Sequence, residues 1–98
     1  MKNYREIVFN SLQIGHENAV TRAELVQKTG LSDRMVRDII AELRREHCIC
    51  NNQDRRGYYI PKCVEEAETF LKQEEARAKS IFYALKGARD YVREHKAV

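Results

Sequence analysis

Between Thr21 and Leu43 the apolar residues recur at helical spacing in two short blocks. Leu25 and Val26 form the first. Val36, Ile39, Ile40 and Leu43 form the second, on one face of a helix written DRMVRDIIAELRREH. Thr21 and Glu24 open the first block as a capping box: the hydroxyl accepts from a first-turn amide while the carboxylate reaches back to the Thr21 amide. Gly30 ends that helix after Thr29, because glycine enters the left-handed region without steric cost. Ser32 then caps the next helix, which begins at Asp33. The two helices meet across about three residues, as in a helix-turn-helix.

Upstream, Tyr4, Ile7, Val8, Ser11 and Leu12 predict a helix over residues 3–14 with Gly15 at its C′ position, then a loop with room for a very short strand. Downstream, Cys48-Ile49-Cys50 and Tyr58-Tyr59-Ile60 flank a polar loop that ends in Gly57, and Pro61 stops the second run. This is a β-hairpin, with Cys48 and Cys50 sharing one strand face as small hydrophobes and one of the adjacent tyrosines turned out. From residue 64 to 95 there is no proline and one glycine. Val64, Ala67, Leu71, Glu74, Ala78, Ile81, Leu85, Ala88, Val92 and His95 follow alternating steps of three and four, a heptad seam with a polar break at Glu74. The expected fold is mainly α with a small β-hairpin, comprising a first unit over residues 1–62 and a long C-terminal helix over 63–98.

With 43% hydrophobic and 34% charged residues, the chain has enough apolar surface for a core, so disorder is not expected. No apolar run reaches the ~20 residues of a membrane span, and MKNYREIVFN lacks a signal-peptide core, so a cytoplasmic protein without membrane contact is expected. The net charge of +3 lies entirely in residues 1–63, which hold 11 basic and 8 acidic side chains; residues 64–98 hold 7 of each. That suits a polyanion-binding head on a neutral tail.

The order helix, helix, tight turn, helix, hairpin is that of a winged helix. TRAELVQKTGLSDRMVRDIIAELRREHCICNNQDRRGYYI resembles the winged helix-turn-helix domains of bacterial and phage DNA-binding proteins, including the biotin-repressor type. The likeness spans about residues 4–61. It rests on Thr29-Gly30-Leu31-Ser32, on the spacing of Val36, Ile39, Ile40 and Leu43, and on Gly57-Tyr58-Tyr59-Ile60. With the following Ala-Arg-Ala-Lys-Ser helix, the chain is similar to small proteins of phages and prophages of Gram-positive bacteria. The resemblance implies sequence-specific double-stranded DNA binding, as a transcriptional regulator. Alternatives are a phage replication or packaging accessory, or a winged helix used only for protein contact.

A helix fits the major groove and reads it with its N-terminal half. The candidate DNA-binding residues are therefore Ser32, Arg34, Met35, Arg37, Asp38, Ala41 and Arg45. Arg34 or Arg37 suits a bidentate grip on guanine, Ser32 suits a phosphate, and Asp38 orients Arg34 or accepts from cytosine. At the hairpin tip, Arg55 and Arg56 suit phosphates or a minor groove, among Asn51, Asn52 and Gln53. Arg22, Lys28 and Arg44 are candidates for further backbone contacts.

His47, Cys48, Cys50 and Cys63 do not have structural-zinc spacing, since Cys48 and Cys50 fall within one strand and Cys63 has no second ligand nearby. No Gly-rich phosphate loop, nucleophile motif or carboxylate pair is present, and His16 and His95 lack catalytic companions in sequence. No enzyme, cofactor, metal or small-molecule substrate is expected. A helix of 32 residues at ~1.5 Å each spans about 48 Å, whereas a small domain is ~30 Å across. Ile81, Leu85, Ala88 and Val92 then lie beyond the first unit and call for a homodimer, unless the helix breaks near Gly87 and folds back.

Overall fold

The computed structural model describes residues 3–52, 54 and 56–96. Its elements are α1 (Tyr4–Asn10), β1 (Val20–Thr21), α2 (Arg22–Thr29), α3 (Asp33–Leu43), β2 (Cys50–Asn51), β3 (Gly57–Tyr59), α4 (Val64–Ala84) and α5 (Lys86–His95). The chain is mainly helical, with a small three-stranded antiparallel sheet and a long C-terminal helical arm. No helix is long and apolar enough to cross a membrane among the described residues.

Local signals set most boundaries. Asn3 caps α1 by accepting from the Glu6 N–H. The Thr21 box forms in full: the hydroxyl accepts from the Glu24 N–H at 3.1 Å and the Thr21 N–H donates to the Glu24 carboxylate at 3.2 Å. Gly30 stands at φ 76°, in the left-handed region, and its N–H donates to the Val26 carbonyl at 2.9 Å. A side chain there would be strained, and that backbone reversal lets α3 start with only three residues between it and α2. Leu31 packs from this turn against the core.

α1 stops earlier than its apolar spacing predicts. It ends at Asn10, the Ser11 hydroxyl bonds back to the Ile7 carbonyl at 2.8 Å, and the chain then runs extended. The reason is long-range: the Ile60 N–H donates to Gln13 at 2.9 Å and the Gly15 N–H to Ile60 at 2.8 Å, drawing residues 13–15 alongside β3. Residues 16–18 make a 3-10 turn, and β1 follows.

The sheet order is β1-β3-β2, with Val20 opposite Tyr58 and Cys50 opposite Tyr59. Its inner face joins α1, α2 and α3 around Val8, Leu25, Val36, Ile40 and Ile49, with Tyr58 among them. Both tyrosines are buried, which corrects the expectation that one faces out. Tyr59 lies on the second face, against His16 and beside Phe70 at the root of α4, so both faces of the sheet are covered. Cys48 and Cys50 point the same way, their sulfurs 3.9 Å apart, but Cys48 precedes the strand and is exposed while Cys50 is fully buried, so only Cys50 packs as a small hydrophobe.

The arm breaks once, at Leu85, where ψ is 2° rather than the helical value near −42°. The break falls within one turn of Gly87, the weakest helix former in the arm. Helix resumes at Lys86, the Arg89 N–H donates to Leu85 at 2.9 Å, and the Arg89 guanidinium lies 4.0 Å over the Phe82 ring, spanning the break. The arm does not fold back onto the first unit. Leu71, Ile81, Phe82, Tyr83, Leu85, Tyr91 and Val92 remain between 48% and 64% exposed.

Candidate nucleic-acid interface

The amphipathic pattern of α3 sorts its residues into two faces. Val36, Ile39, Ile40 and Leu43 are buried, and the core fixes the rotation of the helix about its axis. Arg34, Arg37, Asp38 and Ala41 then fall together on the opposite, exposed face, and Arg45 continues that line in the turn after the helix. Arg34 to Arg45 covers ~16 Å at the helical rise. Met35 flanks the stripe, also exposed. Ser32 sits at the N-terminus, its oxygen accepting from the Met35 N–H at 3.2 Å, which leaves the hydroxyl hydrogen free to donate outward.

Among the described residues, Arg34, Arg37 and Arg45 make no ion pair. In particular, no contact joins Arg34 to Asp38, so the orienting pair expected at this spacing is not formed. The face carries the guanidinium groups of Arg34, Arg37 and Arg45 with the carboxylates of Asp38 and Glu42, and the partial positive charge of the helix N-terminus lies at one end. Such a surface can bind anions with planar, bidentate geometry.

The other basic candidates separate. Arg22 is held by Asp33, Nε to carboxylate at 2.6 Å. Arg44 is used internally: Nε donates to the Ile49 carbonyl at 3.1 Å, Nη2 donates to the Asn51 side-chain oxygen, and the guanidinium lies 5.6 and 5.4 Å from the Tyr58 and Phe70 rings. It clamps β2 to α3 and α4 and cannot also reach a nucleic-acid backbone. Asn51, expected in the hairpin loop, is buried in β2, where its Nδ2 donates to the Gly57 carbonyl at 3.2 Å. Arg56 is exposed at the tip, where its N–H donates to the Asp54 carboxylate at 3.0 Å; Arg55 and Gln53 lie outside the described residues.

A second cluster leaves almost no trace in the sequence. His16, Glu17 and Glu66 bring their ligand-type atoms within 4.8 Å of one another, a spacing that could hold a cation. Their polar atoms already have partners. The Glu66 carboxylate accepts from the Lys62 N–H at 3.0 Å, the His16 N–H at 3.3 Å and His16 Nδ1 at 2.7 Å; Lys62 Nζ lies 3.3 Å from Glu17. The Lys62 backbone bond, then the His16 side chain, draws the Glu66 carboxyl down from 4.5 to about 2. This network is a latch that fixes the start of α4 to the turn before β1. Its one sequence signal is a glutamate at the third position of a helix; its partner lies fifty residues away.

No cysteine falls within a cluster of three or more ligand-type side chains among the described residues. Cys48 and Cys50 sulfurs are 3.9 Å apart, and burial, then Cys48, pushes the Cys50 thiol up to about 12, which makes it a poor nucleophile. Burial likewise raises Tyr59 to about 12. No protein-family model matches the chain, and no match is found among curated proteins or solved structures.

Proposed function

We propose that this chain is a winged helix-turn-helix protein that binds double-stranded DNA, with α3 as the reading helix and the β2–β3 hairpin as the wing. The observation that carries the reading is the exposed stripe of Arg34, Arg37 and Arg45, unpaired among the described residues, on the helix that follows a three-residue turn. The order α1, β1, α2, α3, β2, β3 supports the winged-helix assignment, and the +3 surplus of residues 1–63 supports a polyanionic partner.

Arg34 and Arg37, in the N-terminal half of α3, read base edges, and Arg45 and Ser32 contact phosphates. The wing adds backbone contacts through Arg56 and Arg55. Transcriptional regulation is the role proposed, with phage replication or packaging as alternatives served by the same head. The partner through the arm is a second copy of the chain. The protein acts in the cytoplasm, without cofactor or catalysis.

Binding of duplex genomic fragments, followed by footprinting, tests the proposal. Affinity should fall steeply between about 50 and 200 mM salt as phosphate contacts release counterions. Absence of binding at low salt would instead favour a winged helix that contacts only protein.

A further inference from the structure

The arm carries a charge asymmetry that the seam alone does not explain. Residues 64–75 hold five acidic side chains and one basic; residues 76–96 hold six basic and two acidic. Each segment thus carries a net charge of four, negative first and positive second, and the sign changes between Glu75 and Arg77. A helix favours acids in its first turn and bases in its last, but that effect fades within a turn. The change of sign here lies mid-helix, and the last turn of α4 has no basic residue. The division therefore points beyond the helix's own dipole.

Along the same arm, Leu71, Ala78, Ile81 and Leu85 form a stripe with little cover, broken only at Glu74 and beginning beside an apolar groove of about 360 Å³ between Cys48, Ile49 and Leu71. A second copy laid parallel on this stripe would set the acidic segment against the acidic and the basic against the basic. Laid antiparallel, it sets each acidic segment on a basic one. We infer that the arm pairs with a second copy of itself in antiparallel fashion, crossing in the turn of Ala78 and Ile81. Leu71 and Leu85 lie seven residues either side of Ala78, so reversal about that point brings Leu71 of one copy opposite Leu85 of the other. Ala78, the smallest of these side chains, lets the helices approach at the crossing. The apolar contact lies along α4 and ends at Leu85; within it the basic segment is Arg77 and Lys79, a net charge of two, set against the net four negative charges of residues 64–75.

This inference rests on the pairing reading and is independent of DNA binding by α3. It predicts a specific pattern of disulfide formation. In a chain with Cys48→Ala, Cys50→Ala and Cys63→Ala, single variants Leu71→Cys and Leu85→Cys are prepared, then oxidised alone and mixed. In the antiparallel pair each cysteine lies about fourteen residues, or ~21 Å, along the axis from its own counterpart, far beyond the ~7 Å limit for a disulfide. Neither variant should link to itself, and the mixture should give the Leu71→Cys to Leu85→Cys dimer. Self-linking of either variant would overturn the orientation. Absence of linking in the mixture would overturn the pairing, as would a monomeric mass for the unsubstituted chain by light scattering at tens of micromolar. Duplex DNA binding by such a monomer would leave the α3 reading standing and remove only the pairing.

Discussion

Residues 3–62 bury their apolar side chains against one another, whereas residues 71–96 bury almost none of theirs. In the first region three helices and the inner face of a small sheet close around Val8, Leu25, Val36, Ile49 and Tyr58, while α3 exposes Arg34 and Arg37 beside Asp38 and Glu42. In the second, only Glu74 and Asp90 fall short of being exposed, and α5 is braced by its own pairs, Lys86 to Asp90 at 2.8 Å and Arg93 to Asp90 at 2.6 Å. The first region holds its core by its own long-range contacts, with the root of α4 closing the second face of its sheet. The second is helical by propensity and local pairing, with its apolar seam uncovered, and tertiary packing rather than propensity supplies most helix stability. The two regions therefore differ in what they leave unsatisfied. The rigid head presents a basic face, and the arm presents an apolar surface with its charges segregated along it.

The largest effect that sharpens this contrast should come from the head. Leu25→Ala removes a fully buried side chain from the centre of the core and should cost about 2–5 kcal/mol in denaturant unfolding. A loss below ~1 kcal/mol would mean that the core is not packed as described. Thr21→Ala should cost about 1 kcal/mol, because it removes the oxygen that satisfies the Glu24 N–H and opens the capping box.

The latch between head and arm should respond to acid. A carboxyl whose folded-state value is lowered stabilises the fold above its unfolded value and loses that contribution as pH falls towards the folded one. For Glu66 the window runs from about 4.5 down to about 2. Thermal melts across it should show the unsubstituted chain losing its advantage over Glu66→Gln as pH falls; a constant difference would mean that no such latch operates. The smallest effect on unfolding should come from the arm. Ile81→Asp with Leu85→Asp should change the stability of the head by under ~0.5 kcal/mol while converting a dimer to a monomer in light scattering. A large loss of head stability would show that the two regions are not separable.

Legibility in the sequence follows the range of the interaction that decides each feature. The Thr21 box, the Gly30 turn, the Ser32 cap and the two faces of α3 are set by residues within one or two turns, and each forms as its spacing predicts. The features that depart from expectation depend on distant partners. The early end of α1 depends on Ile60, the burial of Tyr59 on α4 and His16, and the internal use of Arg44 on Asn51 and Phe70. The break at Leu85 falls two residues before the glycine that weakens the turn. For the candidate site, the α3 stripe is legible because one periodic face implies the other. Its lack of ion pairs among the described residues is not, since Arg22 finds a carboxylate and Arg34 does not.

The claim that α3 is the reading surface is tested most directly by fluorescence anisotropy on a footprinted duplex and on a random duplex, comparing the unsubstituted chain with Arg34→Ala, Arg37→Ala and Arg56→Ala. The Arg34 or Arg37 change should lose about 1–3 kcal/mol on the footprinted site and little on random DNA. Arg56→Ala should weaken both duplexes alike and flatten the salt dependence. Equal losses on the two duplexes from all three changes would show that α3 is not the reading helix.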